Sequence, residues 1–267
     1  MYIFKASGEK EEFDRKKVER TAIRAGASED FAKKVAKKVE RQINNGDDTK
    51  KILNLVLKFL REKPEIAEKY SLKKAIMELG PAGFLFEDYF ARVLQEYGYT
   101  TQVRTYLQGK TVKQEIDVLA IKDKIKNMIE CKYHNSMGKR TDLKVAMYTH
   151  ARFLDVKKYV DCAWLVTNTK CTPTAIQYSK GVNLKIIGWN YPSKGSLQEL
   201  VEEKKLYPVT SLLSARGFVK ERLAEAKIIL AKDLVNLDIK ELETKTRLSK
   251  QTIINLKKDS ENLINAK

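Results

Sequence analysis

The stretch Ile129-Glu130-Cys131-Lys132-Tyr133-His134, "IECKYH", sets a carboxylate and an ammonium two residues apart in a run that is otherwise apolar or aromatic. In a strand, side chains alternate faces, so Glu130, Lys132 and His134 share one face and Ile129, Cys131 and Tyr133 the other. Unpaired charge in a core is costly. The shared face therefore carries either an ordinary ion pair or a metal site. Thirteen residues before Glu130 stands Asp117, in "KQEIDVLAIK", a second run of strand character. The polar connection "KDKIKN" between them is short enough for a hairpin, which sets Asp117 beside Glu130. Two carboxylates converging on one point repel unless a cation lies between them. Mg²⁺ (or Mn²⁺), a hard ion that takes one or two carboxylates and keeps its waters, suits such a pair. Asp117 and Glu130 are thus the candidate metal ligands. Lys132 is placed to orient or deprotonate a metal-bound water, or to stabilise charge developing on a phosphate.

Working outward, "FLFEDYFARVLQEYG" reads as an amphipathic helix ended by Gly98, and "YTTQVRTYLQG" as a strand. "TDLKVAMYTHARFLDVKKY" reads as a helix and "CAWLVTN" as a continuously apolar, buried strand. Thr172, Pro173 and Thr174 open another helix, and "NLKIIGW" is the last strand. Helix and strand alternate, which indicates an α/β domain over residues 79–195, bounded by "LGPAG" and "SKG". Residues 1–78 read as a short strand ("YIFK"), a Gly8 turn and four helices. Asp14 is the expected cap of the first helix and Thr49 of the third, and Pro64 separates the third from the fourth. Residues 196–267 show helices only, with Ser249 as a cap before the last. "LSKQTIINLKK" is faintly like the second hairpin of a helix-hairpin-helix fold, although Gly-rich turns are absent. The expected fold class is a mixed, multidomain α/β chain of three parts: 1–78, 79–195 and 196–267.

The chain has 267 residues and a net charge of +17. The middle part is poorest in acids, with 18 basic and 10 acidic residues over 79–195. That balance favours polyanions, chiefly nucleic acid. The three cysteines, Cys131, Cys162 and Cys171, form no CxxC pair, which argues against a zinc ribbon and fits a reducing, cytoplasmic setting. No apolar run is long enough to span a bilayer, and the N-terminus lacks the apolar stretch of a secretory signal. No G-x-x-x-x-G-K-[ST] occurs, so ATP hydrolysis is not expected.

"EID" followed by "IECKYH" in an α/β segment resembles the PD-(D/E)xK nuclease superfamily, with Asp117, Glu130 and Lys132 at the D…ExK positions. The wider pattern is similar to the Mrr-like restriction endonucleases. Gly83, Phe86 and Glu87 match the family's G-x-x-FE ahead of the core, and Gly98-Tyr99 its GY. "LVTN" and "IIGW" match the two later strands. Ile116 stands where the superfamily's name has Pro. The resemblance implies a restriction-endonuclease-like fold and metal-dependent hydrolysis of phosphodiesters, with DNA rather than RNA as substrate. Glu87 reads either as a further carboxylate near the metal or as a solvated helix residue beside Asp88. Glu115 and His134 share parity with the candidates, as a peripheral carboxylate and a hydrogen-bonding strand-end residue. Gln114 and Arg140 are in reach of a phosphate.

Residues 3–78 resemble the ATP-cone. "IFKASG" and "FDRKKV" match its opening, and "AEKYSLKKAI" its closing helix. The resemblance implies that Lys5 and Lys17 meet the phosphates of ATP or dATP, with Thr49 nearby. Ala6 stands where the family usually has Arg. Two functions follow as expectations. One is a Mg²⁺-dependent endonuclease set by nucleotide and acting as a homodimer, since one site cuts one strand. The other is a non-catalytic, nucleotide-sensing DNA-binding regulator.

Overall fold

Residues 1–78 open with a hairpin, β1 (Tyr2–Phe4) paired antiparallel with β2 (Lys10–Glu12). Its turn carries Gly8 at φ +83°, a conformation that glycine enters without a Cβ clash. Helices α1 (Arg15–Arg24), α2 (Glu29–Glu40) and α3 (Thr49–Leu60) follow. They bury Val18 and Ala22, then Ala32, Val35, Ala36 and Val39, then Ile52, Val56 and Leu60, against one another. The cap of α3 is Asp48, whose carboxylate accepts from Lys51 N at 2.7 Å; Thr49, expected as the cap, is the helix's first residue. Asp14 stands at the N-cap position of α1, but its carboxylate takes Arg20 at 3.1 Å rather than a backbone N–H. The single helix expected after Pro64 is two, α4 (Pro64–Tyr70) and α5 (Leu72–Met77). At the break, Ser71 Oγ donates to the Glu68 carbonyl at 3.0 Å, a local bond that competes with helix continuation.

The central part begins with α6 (Phe86–Glu96) and strands β3 (Thr100–Gln108), β4 (Lys113–Lys122) and β5 (Ile125–Lys132). The short β6 (Arg140–Thr141), α7 (Leu143–Val156), β7 (Cys162–Thr167), the short β8 (Lys170–Cys171), α8 (Pro173–Gly181), β9 (Lys185–Ile187) and α9 (Leu197–Glu203) complete it. One sheet runs in the order β3-β4-β5-β7-β9. The first three strands are antiparallel; β5, β7 and β9 are parallel, with α7 and α8 as the crossovers. The β4–β5 connection is tighter than "KDKIKN" suggests. Only Asp123 (φ +52°) and Lys124 (φ +66°) make the turn, the paired positive φ of a two-residue hairpin. β7 is buried at five of its six positions, as its unbroken apolar run requires. Thr172 caps α8 by accepting from Ala175 N at 3.2 Å.

The last helices are α10 (Phe218–Glu225), α11 (Ala231–Asn236), α12 (Ile239–Thr246) and α13 (Lys250–Asn265). Ser249 accepts from Thr252 N at 3.3 Å and caps α13. In this computed structural model, which describes residues 1–82 and 85–265, the chain divides into two compact units. One is Leu79–Leu206; the other joins Met1–Glu78 with Tyr207–Lys267. The second break thus falls about ten residues beyond "SKG". α9 stays with the central unit, where Tyr97 Oη donates to the Leu200 carbonyl at 2.9 Å and Tyr89 Oη to that of Leu206 at 3.1 Å. The residues after 206 share a unit with the first 78: Thr210 Oγ1 donates to Ala75 O at 2.7 Å, and Leu213 N to Glu68 Oε1 at 3.0 Å.

Candidate active site

The β4–β5 ladder runs from Lys122–Ile125 to Val118–Ile129 and stops. One step further the register sets Asp117 opposite Glu130, where the strands part. Asp117 Oδ2 fills the opening and accepts from Cys131 N at 2.7 Å. On its other side β5 stays paired, Glu130 with Leu165 and Lys132 with Thr167 of β7. The β3–β4 ladder also lapses here. It pairs Val103 with Val118 and Thr105 with Ile116, but skips Arg104, which lies across from Asp117 with φ +51°. A non-glycine residue in that region is uncommon mid-strand and is held there by its surroundings. In this case the Arg104 guanidinium spans Glu87 and Asp88 of α6, each at 3.0 Å.

The electrostatics follow from burial and crowding. Burial pushes the Asp117 carboxyl up; the Cys131 N–H opposes this and the charge of Glu87 adds to it. Glu130 is raised to about 7, first by burial and then by Asp117, against the pull of Arg152 and Lys132. Glu87 thus lies close enough for its charge to act on both carboxylates. Lys132 is exposed, on an open cleft of about 670 Å³ that His134 and Lys139 also line.

One residue of this cluster has no counterpart among the sequence candidates. Arg152 projects from the buried stripe Ala146, Thr149, Arg152 and Val156 of α7. Its Nη1 donates to the Glu130 carboxylate, its Nη2 to the Glu115 carbonyl, and its Nε to Gln114 Oε1 at 3.1 Å. Gln114 in turn donates to Asp155 at 2.9 Å, and Asp155 accepts from Thr111 N at 2.8 Å. The bonds from Gln114 and Thr111 hold the Asp155 carboxyl down at about 2. The signal was present: an arginine in phase with Ala146 and Val156 on a core-facing helix needs a buried acceptor. Gln114 is therefore committed to this relay rather than free for a phosphate. Glu115 accepts from Tyr106 Oη at 2.8 Å. His134 contacts Thr141 Oγ1 at 3.1 Å, and its backbone N–H and carbonyl are both held by the Asn168 amide. Arg140 lies in β6, paired with Lys170 of β8. Gly83 lies outside the described residues.

In the first unit, Phe4 bridges Asp48 in parallel, which brings Lys5 alongside Thr49. Lys5 pairs with Glu9 at 3.0 Å and Glu11 at 3.1 Å, and Lys17 with the same Glu11 at 3.4 Å. The structure thus gathers Lys5, Lys17 and Thr49 at one edge of the hairpin.

Comparison with known proteins gives three matches along the chain: an ATP cone domain at residues 1–77, a restriction endonuclease domain of the Mrr catalytic type at 82–192, and the C-terminal domain of AF1548-like proteins at 207–264. An uncharacterised protein of Archaeoglobus fulgidus is 40% identical over 172 residues, 63% of this chain and 98% of that one. The crystal structure of AF1548, a protein of unknown function, is 37% identical, with a TM-score of 0.60 over 68% of this chain and 97% of that one. The chain belongs to the AF1548-like family. Within it, this AF1548-like chain carries an ATP-cone fused to an Mrr-like domain, as the motifs around Lys5 and Glu130 imply. No helix among the described residues is long and apolar enough to cross a membrane.

Proposed function

We propose that this protein is a metal-dependent endonuclease that hydrolyses DNA phosphodiester bonds and is regulated by ATP or dATP at its cone. The observation that carries the reading is the meeting of Asp117 and Glu130 where β4 and β5 part, with Lys132 one step along on the face of Glu130. The donor set fits Mg²⁺ or Mn²⁺: hard carboxylate oxygens, Asp117 destabilised as an anion by burial and the charges of Glu87 and Glu115, Glu130 by burial and the charge of Asp117, an excess of negative charge that a cation relieves. Asp117 and Glu130 would hold the ion, which when bound polarises a phosphoryl oxygen. Glu87 adds negative charge to the same region. Lys132, exposed at the cleft, is placed to hold the scissile phosphate and orient the attacking water. Arg152 fixes the Glu130 carboxylate from behind and is a positioning residue. The excess of positive charge over 79–195 supplies attraction to the DNA backbone.

Lys5, Lys17 and Thr49 are the proposed contacts for nucleotide phosphates. The Glu11 carboxylate shared by both lysines is the counter-charge that a triphosphate would replace. A homodimer would bring two sites to the two strands of a duplex, and a cytoplasmic location fits the free thiols.

The test is nicking of supercoiled plasmid with Mg²⁺, with and without ATP and dATP. Wild type is expected to cut, and Glu130→Ala and Lys132→Ala to lose at least a hundredfold in rate while keeping affinity for DNA. Binding without cutting by wild type in every condition would favour the regulator instead. Cutting by Asp117→Ala at the wild-type rate would place the site elsewhere.

A further inference from the structure

The unit formed by residues 1–78 and 207–267 holds a pocket that the nuclease and cone readings leave unused. It has a volume of about 300 Å³ and lies between the end of α3, helices α4 and α5, and the segment 210–220. Four cations line it, Arg61, Lys74, Arg216 and Lys220, against one carboxylate, Glu78. Glu78 is shared by Lys220 and, at 3.8 Å, by Lys74. Arg216 is held in place by its Nε, which donates to the Leu213 carbonyl at 2.7 Å. Arg61 makes no ion pair among the described residues.

Charge alone would make this an ordinary basic surface. A second feature points to a ligand. Ser211 lines the same pocket, is 4% exposed, and its hydroxyl has no hydrogen-bond partner among the described residues. A buried hydroxyl without a partner is costly and calls for an explanation. Its donor can serve an anion held by the surrounding guanidinium and ammonium groups. The segment that carries it is anchored on both sides of Ser211, Thr210 Oγ1 donating to Ala75 O and Leu213 N to the Glu68 carboxyl, so Ser211 is held in a fixed frame.

We infer that this pocket binds a phosphate group, held by Arg61, Arg216, Lys74 and Lys220 and by the Ser211 hydroxyl. The site is separate from the edge where Lys5, Lys17 and Thr49 gather, and none of those three lines it. Its lining comes from both chain segments of the unit, so occupancy would tie residues 207–220 to the cone helices. The phosphate can belong to a small phosphorylated molecule, which the volume admits, or to a nucleic-acid backbone.

The experiment is titration of the full chain at low ionic strength with inorganic phosphate, followed by ³¹P line broadening, and in parallel with a short DNA duplex in Mg²⁺-free buffer. Wild type is expected to show saturable phosphate binding that a Lys5→Ala/Lys17→Ala variant keeps. Arg61→Glu and Arg216→Glu should each weaken it on the order of tenfold, and Ser211→Ala several-fold. Arg61 is exposed, so Arg61→Glu keeps the test valid if Arg216→Glu misfolds. If only the duplex binds, and Arg61→Glu weakens it, the phosphate is that of nucleic acid. Equal binding of both probes by wild type, Arg61→Glu and Arg216→Glu, or no saturable binding of either, would overturn the inference.

Discussion

Glu130 lies between neighbours of opposite effect, with Asp117 raising its pKa and Arg152 lowering it. Burial is the larger cause, and with these charges added its carboxyl is raised to about 7, so its ionised fraction changes across neutral pH. Replacing Arg152 by Ala removes the opposing charge and lets Glu130 climb further. If cleavage needs the Glu130 anion, the rising limb of the pH–rate profile should move to higher pH in Arg152→Ala, and partly return in Arg152→Lys. A purely structural role would lower the rate at every pH without moving the limb. The same substitution leaves a buried carboxylate, and the Glu115 carbonyl, without their donor. A loss of roughly 3 kcal/mol is expected from breaking such a pair, read as a lower urea midpoint. Lys132 behaves otherwise: it is exposed, so Lys132→Ala should cost activity and little stability.

At the scale of elements, the strands around Asp117 and Glu130 were legible because alternation and apolar content both pointed the same way. β4 spans the run read from the sequence, and β7 is the buried strand that "CAWLVTN" announces. The two-residue turn at Asp123-Lys124 was not, since it uses positive φ without a glycine. The break at Ser71 was hidden for a similar reason: its neighbours all favour helix, and one serine hydroxyl decides the outcome. The commitment of Arg152 to Glu130 and Glu115 needs the α7 crossover set against the sheet, which no local spacing encodes. α4 carries a further consequence of tertiary placement. Glu68 is 2% exposed and its carboxyl is raised to about 8, chiefly by burial. Between the usual glutamate value near 4.5 and about 8, the folded state holds a proton that the unfolded state has released. Stability therefore falls as pH rises through this window. Glu68→Gln keeps an acceptor for Leu213 N and removes the charge. It should raise the melting temperature at pH 9, by the equivalent of a few kcal/mol at most, and change it little at pH 4.5. A wild-type melting temperature that is flat over this range would show that Glu68 is not the group responsible.

Across the whole molecule, the chain's two ends build one unit and its middle builds the other. The residues after Leu206 do more than extend the chain. They supply the donors for Ala75 O and for Glu68, both on helices that close the cone. They also bring Leu223, Leu230, Leu234, Leu242, Ile253, Leu256 and Leu263, all fully or almost fully buried. A chain ending at Leu206 would keep every residue of the ATP-cone match and of the Mrr-like match, yet expose α4 and α5 along the side these residues cover. The expected outcome is selective. Amide exchange should accelerate in α4 and α5 by orders of magnitude, because their protection depends on burial that the truncation removes. The central sheet, whose β3-β4-β5-β7-β9 ladder lies wholly within 79–206, should exchange at the wild-type rate. Unchanged protection in α4 and α5 would mean that the cone stands without its C-terminal partner. Loss of protection in the sheet as well would mean that the two units fold only together.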